Sequence, residues 1–220
     1  YNILTTKLNY INTLLLLKKK MNKINYYKRK KDRRQEYRKY DDYRDYVEKL
    51  TRFIVTARFN TITWNENEEF RKTNPMFGCI YGTPQEISVS SPLGGIINKS
   101  FNEESILFVL EMNNDENKIM GIGMIKNKSH IKKFRIYKND LYNLYGYAGK
   151  YRIDRNEISK DEEIIFEVLD KLCFYGSGHL KKMPGIKGFP IDKLFKLYKF
   201  KNLDLVEYIT NMFKKKINDT

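Results

Sequence analysis

Residues 105–125, SILFVLEMNNDENKIMGIGMI, set two apolar runs on either side of a polar turn, and no other stretch narrows the fold so far. Ile106–Leu110 and Ile119–Ile125 flank Asn113-Asn114-Asp115-Glu116-Asn117. That pattern predicts an antiparallel hairpin with a loop of about five residues. In the second run Ile119, Gly121, Gly123 and Ile125 alternate with Met120, Ile122 and Met124, so one face carries glycine at its centre. Glycine inside a strand marks a bulge, a barrel corner or the close approach of another chain segment. Gly121-Ile122-Gly123 is too short for a dinucleotide fingerprint and no helix follows it, which excludes a Rossmann reading.

Around the hairpin the elements are mixed. Tyr37, Tyr40, Tyr43, Val47 and Leu50 recur at helical spacing within residues 26–50. This helix either docks by its tyrosine stripe or carries a basic arm, Lys28, Arg29, Lys30, Lys31, Arg33 and Arg34, toward phosphates. Phe53-Ile54-Val55 is β-prone, and Asn65–Lys72 reads as a loop or a short acidic helix. Proline and glycine punctuate residues 74–95 too often for long helices, leaving Cys79–Tyr81 and Ile87–Val89 as strands. Phe134, Ile136 and Tyr137 suggest another strand, and Tyr151–Ile153 a further one, joined by an aromatic loop at 142–149. Ser159 with Glu162 caps a helix over 160–174, residues 176–190 form a basic loop, and two short helices follow within 192–216.

Charge sets the function classes. The net charge is +15 over 220 residues, split as +9 over residues 1–46, −3 over 47–125, +8 over 126–200 and +1 over 201–220. An AT-rich genome writes Asn, Lys, Ile and Tyr at unconstrained positions, so part of the basicity is compositional. The asymmetry along the chain is not explained that way. Clustered cations attract a polyanion by counterion release, and nucleic acid is the commonest such partner. A membrane surface is the rival, but no lipidation motif and no basic amphipathic helix is present. Leu14–Leu17 is too short to span a bilayer. The chain opens at Tyr1, and Met21 offers a more natural start, so residues 1–20 are set apart from the fold argument.

Basic residues interleaved with aromatics suit single-stranded nucleic acid, because each base offers a π-face and each link a phosphate. The candidates are Lys132, Lys133, Arg135, Lys138, Tyr145, Tyr147, Lys150, Tyr151 and Arg152, together with His179, Lys181, Lys182 and Lys187. No catalytic, cofactor or metal constellation stands out. His130 and His179 are the only histidines, and no spacing pairs His179 with Asp154 or Glu157 as a general base. The acidic run Asp161–Glu163 is explained by a helix N-terminus. Cys79 and Cys173 form neither a disulfide framework nor a zinc spacing, which favours an intracellular, reducing setting.

The blocks ILFVLEMNNDENKIMGIGMIKN, YAGKYRID and FYGSGHLKKMPGIKGFP resemble segments of uncharacterised proteins of large DNA viruses. At the level of fold, the order of elements is similar to the PUA-like superfamily, which includes EVE and YTH domains. SVSSPLGG, then Phe101, then the hairpin resembles the YTH turn, phenylalanine and central barrel strands. That resemblance implies a base pocket near Trp64, Ser90 and Ser91. YTH domains cage a methylated adenine with tryptophans. Here Ser88 or Val89 stands at the expected cage position and Trp64 is the only tryptophan, so only a cage rebuilt from tyrosines is compatible.

The expectation is therefore an α+β protein with a small twisted, barrel-like mixed sheet flanked by helices. Residues 1–50 form a basic N-terminal helical arm, 51–200 a single domain, and 201–220 a C-terminal helix packed on it. Its expected role is binding RNA or single-stranded nucleic acid. The alternative is a viral structural or assembly protein, homo-oligomeric or with an acidic partner, whose basic arm touches genome.

Overall fold

A computed structural model describes residues 33–87, 103–131, 134–181 and 185–218, with residues 33–40 and 131 described by their backbone alone. The architecture is α+β. Five helices, α1 (Arg33–Lys49), α2 (Thr61–Thr73), α3 (Lys160–Phe174), α4 (Ile191–Lys201) and α5 (Leu205–Asn218), surround two sheets. The larger sheet holds β1 (Arg52–Phe59), β3 (Ile106–Asn113), β4 (Lys118–Lys126), β7 (Tyr151–Asp154) and β8 (Ile186–Gly188), in the order β7-β4-β3-β1-β8. The smaller sheet places β2 (Cys79–Thr83) and β5 (His130–Ile131) on either side of β6 (Tyr145–Gly149).

β1 runs parallel to β3, with Arg52 opposite Ile106 and Phe59 opposite Asn113, while every other pairing is antiparallel. A parallel neighbour requires a long crossover. Residues 60–105 provide it, with α2 and β2 in its path. Phe53–Ala57 are all buried, as a strand flanked on both sides and covered by helices must be. The expected barrel does not close, since β7 and β8 remain edges of an open mixed sheet. The two sheets are instead joined through consecutive strands: only Lys150 separates β6 from β7, and the chain changes sheets there. A side chain on Gly149 would sit 2.0 Å from the Met124 carbonyl oxygen, so only glycine lets the corner fold this tightly.

The predicted hairpin forms with a register shift between Leu110 and Met112, where Met120 and Gly121 of β4 face the single residue Glu111 of β3. Glu111 is fully buried at this bulge. Its carboxylate accepts from the Tyr81 hydroxyl at 2.8 Å, from Arg152 Nε at 2.9 and 3.0 Å and from Arg152 Nη2 at 2.7 Å. Arg152 Nη1 also donates to Asp154. Burial disfavours the guanidinium charge, but Glu111 and Asp154 outweigh it and hold Arg152 above its ordinary value. The glycine face of β4 is the seat of this network. A Cβ at 121 would lie 2.6 Å from Arg152 Nη2, and one at 123 would lie 2.0 Å from Tyr81 Oη.

The helices cover the sheet. Tyr43 of α1 meets Phe195 of α4 edge-on at 5.2 Å, and Tyr46, Val47 and Leu50 are buried, so the C-terminal half of α1 belongs to the folded body. Phe213 of α5 stacks on Phe108 of β3 at 5.2 Å, which docks α5 on the larger sheet. Ser159 and Glu162 form the predicted capping box of α3. Asp170 of α3 accepts the Ile119 amide at 2.7 Å and is bridged by Arg155 at 2.8 Å, tying α3 to β4.

Three expectations change. Of the loop or short acidic helix expected over 65–72, the helix forms and is longer, spanning residues 61–73 and begun by an Asn60–Thr63 capping box. Phe134–Tyr137 is not a strand, because the Asn143 side chain satisfies that backbone. It accepts from the Ile136 and Tyr137 amides at 2.9 and 3.0 Å and donates to the Tyr137 carbonyl at 2.6 Å. The basic loop at 176–190 contains β8, which pairs with Val55–Ala57. Of the predicted strand Ile87–Val89, Ser88 and Val89 lie outside the described residues, as do the side chains of Tyr37 and Tyr40.

Two predictions follow from the core. Replacing Arg152 by Met strands a buried carboxylate and should cost about 3–5 kcal/mol in urea unfolding, whereas the double variant Glu111→Leu/Arg152→Met should recover much of the loss. Burial also pushes the Cys79 and Cys173 thiols up to about 12, against an ordinary 9.0. The unfolded chain therefore releases these protons at lower pH than the folded one. Unfolding free energy should hold below pH 9 and fall steadily as pH rises toward about 12.

Candidate nucleic-acid interface

The structure divides the predicted ligand-binding residues into three groups. Arg152, Tyr147 and Trp64 are withdrawn into the core. The Arg152 side chain is 7% exposed and committed to Glu111 and Asp154. Tyr147 is 1% exposed, and its hydroxyl accepts the Ile87 amide at 3.1 Å. Trp64 packs edge-on against Phe59 at 5.3 Å, with the guanidinium groups of Arg71 and Arg152 5.6 and 5.9 Å from its ring. None of the three presents a surface to a polymer, and Trp64 is no part of an open base pocket.

The second group stays in reach of solvent. Lys138 and Lys150 are exposed, and Lys150 Nζ lies 5.1 Å from the ring of half-buried Tyr151. Arg135 is exposed and faces Asp140 at 3.6 Å. Tyr145, Lys181, Lys187 and His179 are half-buried. His179 Nδ1 accepts the Lys181 amide at 3.4 Å, and no hydrogen bond joins it to Asp154 or Glu157. The third group, Lys28–Lys31, Ser90, Ser91, Lys132, Lys133 and Lys182, lies outside the described residues, as do the side chains of Arg33 and Arg34.

A cleft that the sequence did not announce gathers several polar groups at the C-terminal end of β1. Its volume is about 270 Å³, and its walls include Arg58, Asn60, Thr63, Asn114, Lys181, Tyr81, Tyr137 and Tyr142. Each wall has a local cause. Arg58 is the next-to-last residue of β1, and Asn60 and Thr63 are the capping box of α2. Asn114 lies in the hairpin turn, where its amide donates to the Phe59 carbonyl at 2.8 Å. Tyr137 and Tyr142 meet edge-on at 6.1 Å beside the single turn Asp140–Asn143. The fit against β2 is close, since a side chain on Gly82 would come within 2.1 Å of the Tyr142 carbonyl oxygen.

The electrostatics of this cleft are one-sided. Arg58 and Lys181 line it, and no carboxylate among the described residues does. Arg58 is half-buried, donating Nε–H to the Leu180 carbonyl at 2.5 Å and Nη1–H to that of Gly185 at 3.4 Å. Two carbonyls use part of its five-donor fork, and no carboxylate among the described residues comes within ion-pairing distance. Burial accordingly lowers its pKa from the ordinary guanidinium value. Asp115 feels the charge of Lys181, but it is exposed and held by the Thr61 amide and hydroxyl at 2.8 and 2.7 Å. The only advance signal was an arginine inside the apolar run RFIVTARF.

Among the described residues no group of three or more His, Cys, Asp or Glu is placed to hold a metal ion, and no helix is long and apolar enough to cross a membrane. No protein-family model, no curated protein and no solved structure matches the chain. The site stands on its own geometry.

Because Trp64 is walled in by Phe59 and two arginines, Trp64→Phe should lower stability while leaving oligonucleotide affinity unchanged in a fluorescence-anisotropy titration. A large loss of affinity in a folded Trp64→Phe protein would return this residue to the binding surface.

Proposed function

We propose that the protein binds nucleic acid inside the cell, with RNA or another single-stranded form as the favoured ligand. The observation that carries the reading is the tyrosine-walled cleft lined by Arg58 and Lys181 and by no carboxylate among the described residues. Cations clear of carboxylates favour phosphates, and tyrosine rings favour bases. Lys138 and Lys150 supply exposed charge on the same half of the chain, Lys150 beside the ring of Tyr151. The net charge of +15 adds long-range attraction for a polyanion.

The sequence resemblance to PUA-like domains and to proteins of large DNA viruses leads to the same proposal, although the open mixed sheet is not the closed barrel that the PUA-like resemblance implies. The withdrawal of Trp64 argues against a tryptophan-caged methyl base as the ligand.

A salt series with a fluorescein-labelled single-stranded RNA tests the proposal. Affinity should be micromolar or tighter at low salt and fall linearly on a log–log plot. Lys138→Ala and Lys150→Ala should each reduce the slope by about 1, with little change between sequences. A response that is flat in salt, or no binding at low salt, would rule the reading out.

A further inference from the structure

We infer that the cleft at the end of β1 is a site for a nucleoside phosphomonoester, either a free mononucleotide or the phosphorylated end of a strand. The inference rests on the nucleic-acid reading for the choice of ligand class and goes beyond it in naming the group that is recognised.

Charge stoichiometry makes the case. Arg58 and Lys181 both line one cleft of about 270 Å³, and no Asp or Glu is among the described residues of its walls. An internal phosphodiester carries a single negative charge and must continue as chain on both sides. A terminal phosphate approaches two charges near neutral pH, since its second ionisation falls near 6, and it offers three oxygens. It therefore matches the two cations charge for charge and needs an exit on one side only. The donors that Arg58 leaves free of the Leu180 and Gly185 carbonyls suit oxygen atoms held in a fork.

The remaining walls suit the rest of a nucleoside. Tyr142 is the half-buried tyrosine of the cleft and is therefore the ring offered to a base, whereas Tyr81 and Tyr137 are buried. Tyr137 is already fixed by Asn67, whose side-chain amide donates to its hydroxyl at 3.2 Å. Asn60, Thr63 and Asn114 add neutral donors and acceptors for a sugar or a base edge. Asn114 donates to the Lys181 carbonyl at 3.5 Å, and its own carbonyl oxygen has no partner among the described residues. The volume lies just under the usual range for ligand sites, which suits a single nucleotide, whether free or the end residue of a strand.

Isothermal titration calorimetry on the full chain provides the test, with adenosine 5′-monophosphate, adenosine and inorganic phosphate as probes. The monophosphate should bind at least about tenfold more tightly than adenosine, the minimum expected for charge-assisted bonds to the phosphate. Lys181→Ala should weaken it by about tenfold or more, and Tyr142→Ala should weaken the monophosphate but not inorganic phosphate. Arg58→Met should abolish binding. Arg58 also bonds to the Leu180 and Gly185 carbonyls, so the Lys181 and Tyr142 variants keep the test valid if Arg58→Met fails to fold.

A second arm compares one RNA with a 5′-phosphate, a 3′-phosphate or no terminal phosphate. A gain of tenfold or more for either phosphorylated end identifies strand ends as the source. Monophosphate binding without such a gain identifies free nucleotide, and both results uphold the inference. RNA binding that ignores terminal phosphates, with no heat from the monophosphate, overturns the inference and leaves the broader reading standing. Monophosphate binding with no RNA binding does the reverse.

Discussion

The Glu111–Arg152 pair is the constraint around which the rest of the molecule is arranged. A fully buried carboxylate is tolerable only with a counter-charge and donors for its oxygens. Arg152 gives the charge and Tyr81 the further donor. The three residues come from different strands, β3, β7 and β2, so satisfying one carboxylate fixes both sheets with respect to each other. The bulge in the hairpin and the two glycines of β4 then follow as the room this network needs. Such a pair is weak evidence for stability in itself. Its contribution is to penalise any packing that would leave either charge alone.

The cleft is a by-product of the same arrangement. Tyr81 points its hydroxyl toward Glu111, and its ring helps form the cleft floor. β1 is held between β3 and β8, so Arg58 has a rigid base from which to reach the Leu180 and Gly185 carbonyls. Two arginines of this fold thus meet opposite fates. Arg152 finds acids and becomes structural, while Arg58 finds only carbonyls and keeps its charge uncompensated. Composition alone cannot tell these apart, since the difference lies in which neighbours the topology delivers.

That distinction explains what was legible in the sequence. The hairpin, the capped helix α3 and the C-terminal helices were readable because periodicity, turn residues and capping boxes are local signals. The strand expected at Phe134–Tyr137 failed because the Asn143 side chain took over the hydrogen bonds a ladder would have made. β8 was missed because three residues are too few to display a period. Among the site residues, Lys138 and Lys150 were readable as exposed cations. Arg152 and Tyr147 looked the same in sequence and are buried, because their partners Glu111 and Ile87 are distant along the chain. Arg58 carried almost no signal, being one of two arginines in a mostly apolar strand.

The single residue between β6 and β7 has a bearing on how the chain can vary. Connections between strands usually absorb insertions and deletions readily, because they lie outside the ladder. Lys150 is flanked on both sides by residues in register, Gly149 against Cys79 and Tyr151 against Met124. Adding or removing one residue there would reverse the in–out alternation of one of the two strands. If β7 moved, Arg152 would turn away from Glu111, and Ile153 after a deletion or Tyr151 after an insertion would take its place. What resembles an ordinary surface joint is therefore a position where length, more than residue identity, is held fixed.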